Sequence, residues 1–231
     1  MNRAEYAGDV RALDGDALAS YLTTRSGLPG PRANLTLLEA AGDALPRSTA
    51  LGYLAEPDEY LACCGTVALG RLILQGEAAL VGRLTALAAD ERWRVREAVA
   101  IAAQRIGDAD PALLRELVAG WVADPDPLVV RAGIAAVCEP RLLSDPDTAL
   151  AAIAACQTAS AHLVRTPVAV RRSSGVRTLR KALGYCWSVA VAGDPEHGLP
   201  AFLALDVADP DLAWVDRENR RKKRLITLLN R

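Results

Sequence analysis

Apolar positions along the chain recur at three- and four-residue intervals, in segments of about 10 to 20 residues. Nowhere do they alternate with period two over a useful length. The pattern predicts helices and no sheet. Short loops of Asp, Pro and Gly separate the segments, at 107–111, 123–127, 144–147, 193–195 and 208–211. In each loop an Asp or Ser is placed to cap a helix N-terminus. The proline suits the first turn, where its missing N–H is not needed. Over the first 76 residues, 35–44, 49–54 and 58–74 read as helices. The stretch Gly-Leu-Pro-Gly-Pro at 27–31 reads as a rigid turn into an Asn34-capped helix. Its prolines lack the N–H donors that a phosphate cradle would need.

A second signal repeats behind the loops. A capping residue is followed by a Val-Arg pair and small apolar residues: Asp90 before Val95-Arg96, Asp126 before Val130-Arg131, and Ser174 before Val176-Arg177. A weaker copy runs from Asp211 to Val215 and Arg217. The arginines stand 35, 46 and 40 residues apart, about the length of a helix pair with its loops. From residue 77 to the C-terminus this resembles the HEAT-repeat pattern, whose second helix opens with Asp, Val-Arg and alanines. The resemblance implies an all-α, right-handed superhelix of five to six helix pairs. Residues 1–231 would form a single solenoid, with 1–76 as divergent N-terminal helices and 77–231 as clearer repeats. In such an array one pair cannot bury its apolar face alone, so neighbours stack. The second helices line a concave side.

On the helix that opens near Glu91, Val95, Ala98, Val99, Ala102 and Ile106 fall on one arc, the expected core face. Trp93, Glu97, Ala100 and Gln104 fall opposite. A tryptophan turned from the core is unusual, because a large apolar ring normally seeks burial. Trp93 and Gln104 are therefore candidate groove-lining residues. The alternative is that Trp93 packs on a neighbouring repeat and Glu97 pairs with Arg94 or Arg131. Arg96, Arg131, Arg177 and Arg217 form either a cationic row along a groove or an Asp–Arg ladder between repeats. Trp187 sits on the apolar side of its own helix, and Trp121 and Trp214 also read as packing residues.

Charge sharpens this picture. The whole chain carries a net −1, but residues 162–231 hold 13 basic and 7 acidic side chains, a net of +6. Arg165, Arg171, Arg172, Arg177, Arg180 and Lys181 form one cluster. Arg217, Arg220, Arg221 and Arg224 form another, and on one continuous helix they would share an arc of about 100°. An anionic partner suits such clusters, as does a solvated end cap on a repeat array. With 10 aromatics in 231 residues, a multi-base stacking surface is disfavoured. The five cysteines (63, 64, 138, 156 and 186) are odd in number and wrongly spaced for zinc, and read as buried reduced thiols. No metal or cofactor motif and no nucleophile–histidine signature occurs. The polar start and the lack of an apolar run near 18 residues point to a cytoplasmic protein without a membrane span. The 24 Arg against 3 Lys suggest a bacterial source.

The run Trp93-Arg-Val-Arg-Glu97, Arg131 and the basic C-terminal third also resemble the DNA alkylation repair glycosylases built from HEAT-like repeats. That resemblance implies Glu97 as electrostatic catalyst, Trp93 as sugar contact and Arg131 as phosphate contact. A carboxylate beside the sugar would stabilise the positive charge that builds as an N-glycosidic bond breaks. Glu97 stands where that family has Asp, and its second tryptophan has no clear counterpart here. Two expectations follow. The first is a non-catalytic helical-repeat scaffold binding a macromolecular partner, most naturally a protein, through its concave face or its basic C-terminal helices. The alternative is a glycosylase-like protein acting on alkylated purines in duplex DNA, bound through the basic C-terminal third.

Overall fold

The structure is a computed structural model that describes residues 1–230, and those residues are all-helical, with no strand. They form two compact units, 1–106 and 107–231.

The first unit holds α1 (Arg3–Ala12), α2 (Gly15–Thr24), α3 (Leu35–Ala44), α4 (Arg47–Tyr53), α5 (Glu59–Leu74), α6 (Leu80–Leu87) and most of α7 (Trp93–Ala109). Its centre is α5, buried along nearly its whole length from Tyr60 to Ile73. α1 packs on α3, and α3, α4 and α6 pack on α5. α7 approaches α5 closely at Gly70, where a Cβ would lie 2.6 Å from the Ala102 carbonyl oxygen. Only a glycine lets the two backbones meet at that distance. On α7 itself Val95, Ala98, Val99, Ala102 and Ile106 are buried, as the pattern predicts. Ala100 is buried as well, so the face opposite the core is not wholly open.

The second unit holds α8 (Pro111–Val122), α9 (Pro127–Val137), α10 (Pro146–Arg165), α11 (Ser174–Gly193), α12 (Pro195–Leu203), α13 (Pro210–Arg220) and α14 (Lys223–Leu229). Two single 3-10 turns, Leu142–Ser144 and Val168–Val170, precede α10 and α11. α9, α11 and α13 pack side by side, and α8, α10 and α12 form a second row against them. The Asp-Pro loops act as the sequence predicts. Asp110, Asp126, Asp145, Asp194 and Asp209 each accept a backbone N–H from the first turn of the next helix, and proline follows each of them at the helix start.

Arg171 fastens the last of these loops. It donates to the carbonyl oxygens of Val164 and Thr166 and pairs with Asp209 at 2.6 Å. Arg180 reaches Asp211 at 2.7 Å. Arginine–aspartate pairs thus tie this unit through Arg115, Arg141, Arg171 and Arg180, and Arg177 and Arg217 take no part.

Trp187 is fully buried, donates to the Ser160 hydroxyl at 3.0 Å and meets Phe202 edge-on. Trp121 is buried too. Trp214 lies against Gly184 and under Arg180, and stays half-buried. The C-terminal helix departs from the sequence reading. α13 stops at Arg220 and α14 starts at Lys223, so Arg217, Arg220, Arg221 and Arg224 do not share one helical arc. An unbroken helix would carry Leu225 about 110° round from the face that buries Leu212, Val215 and Asn219. The break brings Leu225 into the core. Asn219 holds the end of α13 by accepting the Ser188 N–H and donating to the Leu183 carbonyl.

Candidate functional site

Two surfaces stand out, one in each unit. In the first unit a cleft of about 350 Å³ opens between the 28–33 loop and the first turns of α3, α5 and α7. The loop is held from both ends. The Asn34 amide N–H donates to the Ser26 carbonyl, and the Asn34 side chain caps α3 through the Leu37 N–H. Gly27 takes a positive φ of 76°, which leaves no room for a side chain beside the Arg32 carbonyl. Pro31, Arg32 and Ala33 form one wall of the cleft, and Leu35, Leu38, Tyr60, Cys63, Trp93, Ala98 and Ile101 form its apolar remainder.

Trp93 and Leu35 are 51% and 55% exposed, a large apolar edge left to solvent beside an apolar hollow. The polar groups of the floor are engaged within the fold. The Tyr60 hydroxyl donates to the Asn34 carbonyl at 2.7 Å. Arg94 pairs with Glu59 at 2.8 Å and lies over the Trp93 ring, 4.6 Å from its centroid. Burial, then the nearby Glu59 charge, pushes the Cys63 thiol up to about 12, so it is no nucleophile at neutral pH. Burial likewise raises the Tyr60 phenol.

Glu97 lines the same cleft, one turn after Trp93. The structure thus brings Trp93 and Glu97 together as the sequence implies. Gln104 is half-buried further along α7 and is not a lining residue. Arg131 is half-buried on α9, in the other unit. The wall from 31 to 33 was not foreseen as part of a site. Its only signal was two prolines and a glycine before an Asn cap.

The second surface is basic. Of the cations in the 162–231 stretch, Arg171, Arg180, Arg220 and Arg221 are tied to Asp209, Asp211, Asp216 and Glu218. Arg165, Arg172, Arg177, Lys181, Arg217, Lys222 and Lys223 form no salt bridge among the described residues. Arg224 lies over the Tyr185 ring and donates to its hydroxyl at 3.2 Å.

A more polar groove of about 530 Å³ in the same unit runs past Pro125, Pro127, His162, Arg165, Pro167 and Val170. Burial, then the Arg165 charge, holds His162 below its ordinary value. The five cysteines are buried and none is in a disulfide. No helix of the described residues is long and apolar enough to cross a membrane. No protein-family model, curated protein or solved structure matches the chain.

Proposed function

We propose that this protein is a non-catalytic helical-repeat scaffold that binds a protein partner, and that the Trp93 cleft receives an apolar side chain of that partner. The HEAT-like part of this reading is supported by the Asp-Pro caps that open five of the seven helices of the second unit and by the pairwise stacking of α8–α13. The observation that carries the binding reading is the half-exposed Trp93 on the rim of an apolar cleft whose polar floor groups are already engaged. Such a cleft rewards a hydrocarbon or aromatic group. Covering the half of Trp93 and of Leu35 still open to water would contribute about 1 kcal/mol each. Peptide-display selection tests this. Wild type is expected to enrich peptides that share a bulky apolar residue, and Trp93→Ala to lose them. No enriched motif, or a motif indifferent to Trp93→Ala, overturns the reading.

One observation favours a second reading. Trp93 and Glu97 face a common cleft, as a glycosylase acting on alkylated purines would need. Release of methylated purine bases from duplex DNA by wild type, and its loss in Glu97→Gln, would establish that chemistry. Absence of release removes it.

A further inference from the structure

The exposed face of α11 carries a row that the scaffold does not use. Arg177, Lys181 and Tyr185 follow one another at four-residue intervals and are all exposed. The buried residues of the same helix, Val176, Leu179, Leu183, Cys186 and Trp187, point elsewhere. Arg224 from α14 closes the row at its far end, with its guanidinium 5.0 Å from the Tyr185 ring centroid. Neighbouring Arg180 turns aside to Asp211, so the acids of the 209–211 loop are engaged away from the row. Arg177 and Lys181 form no ion pair. Two lone like charges one turn apart repel slightly.

We propose that this row docks an extended acidic segment of a partner protein, with carboxylates at alternate positions. Residues four apart on a helix are spaced about 6 Å along its axis, and alternate side chains of an extended strand are spaced about 6.7 Å. A strand laid along α11 therefore sets one carboxylate against each of Arg177, Lys181 and Arg224. Guanidinium groups take carboxylates through paired N–H donors, which favours this match. Nucleic acid fits less well. Tyr185 is the one exposed aromatic of the row, and Arg224 covers its ring, so no stacking platform is left. A continuous phosphate chain extended towards α13 would also meet Asp216 and Glu218, interleaved with Arg217, Arg220 and Arg221.

This site is independent of the Trp93 cleft, and its test does not depend on that reading. Fluorescence anisotropy of a labelled peptide of alternating Glu and Ala would be measured against the full chain at low salt. A peptide with the same residues in two blocks and a short DNA duplex would serve as comparators. The alternating peptide should bind most tightly. The double variant Arg177→Glu/Lys181→Glu should weaken it about tenfold or more. The same change of charge placed on exposed α1 and α6 positions, Arg11→Glu/Arg83→Glu, should shift it less than about threefold, since neither residue belongs to the row. Circular dichroism would confirm that both variants are folded. Three results overturn the proposal: no peptide binding at low salt, equal loss in the two double variants, or tighter binding of the DNA duplex.

Discussion

The two units use their arginines differently. In 1–106, Arg71 donates to the carbonyls of Gly42 and Leu45, and Arg105 reaches both the Glu39 carbonyl and Asp43. Arg3 adds a second clamp on Asp43 at 2.7 Å, and Arg94 is held by Glu59. These cations tie helices together, and the cleft left beside Trp93 is lined mostly by apolar groups. In 107–231 the tying is done by Arg115, Arg141, Arg171 and Arg180, and among the described residues after 162 eight cations, Arg224 included, form no salt bridge. Arg177 and Lys181 among them leave a basic row on the exposed face of α11. On the two proposals, the cleft would draw its binding strength from dehydration and the basic row its selectivity from salt-sensitive charge.

The most damaging way to break the comparison is at the close helix contacts. Gly70→Val drives a side chain into the Ala102 backbone and should cost about 3 kcal/mol or more, read by urea unfolding. Gly184→Ala meets the Trp214 ring at 2.8 Å instead. That ring is half-buried and can yield, so the loss should be nearer 1 kcal/mol. Equal costs would mean that the two units are equally rigid at these contacts.

Arg171→Ala comes next. It strips three hydrogen bonds from the loops around α11 and leaves a mostly buried Asp209 without its cation, at an expected cost of about 3 kcal/mol. Arg177→Ala, one turn into the same helix, should cost less than about 0.5 kcal/mol, since its side chain is exposed and forms no ion pair. Thermal melts of the pair would separate a tying cation from a spare one.

Acid should weaken both units. Burial would raise the Asp43 carboxyl, but hydrogen bonds and charge from Arg3 and Arg105 hold it below its ordinary 3.8. Asp209 behaves alike: burial opposes, while Arg171 and the α13 N–H groups prevail. A depressed carboxyl stabilises the fold fully above the ordinary value and loses that contribution as pH falls through its folded value. Unfolding free energy should therefore decline below about pH 4. Arg171→Ala should flatten the decline, because Asp209 then loses its strongest partner.

The smallest effect is at His162. Burial and Arg165 keep its imidazole neutral below the ordinary 6.5, so its contribution to stability falls as pH drops through that range. Arg165→Gln should move the His162 NMR titration upward, and an unchanged midpoint would leave burial as the whole cause.

Much of the fold was legible because its signals are local. The Asp-Pro caps of α8, α9, α10, α12 and α13 mark helix starts through bonds to groups two or three residues on. The core face of α7 and the burial of Trp187 follow from helical period alone. α1 and α2 were not anticipated, since α1 is short, polar on most faces and buries only Ala7 and Val10. The even basic arc expected at the C-terminus fails because Leu225 needs the core, and that need overrides helix continuation.

The candidate sites divide in the same way. The sequence by itself determined that Trp93 and Glu97 share a helix face and that positive charge collects after residue 162, because both depend on spacing and composition. Only the tertiary structure decided that the 28–33 loop walls a cleft around Trp93, and which arginines find an aspartate. Those outcomes depend on groups about 30 to 65 residues apart in sequence, as with Arg94 and Glu59 or Arg171 and Asp209. Periodicity orients a side chain about its own helix. It carries no information on what another helix places opposite it.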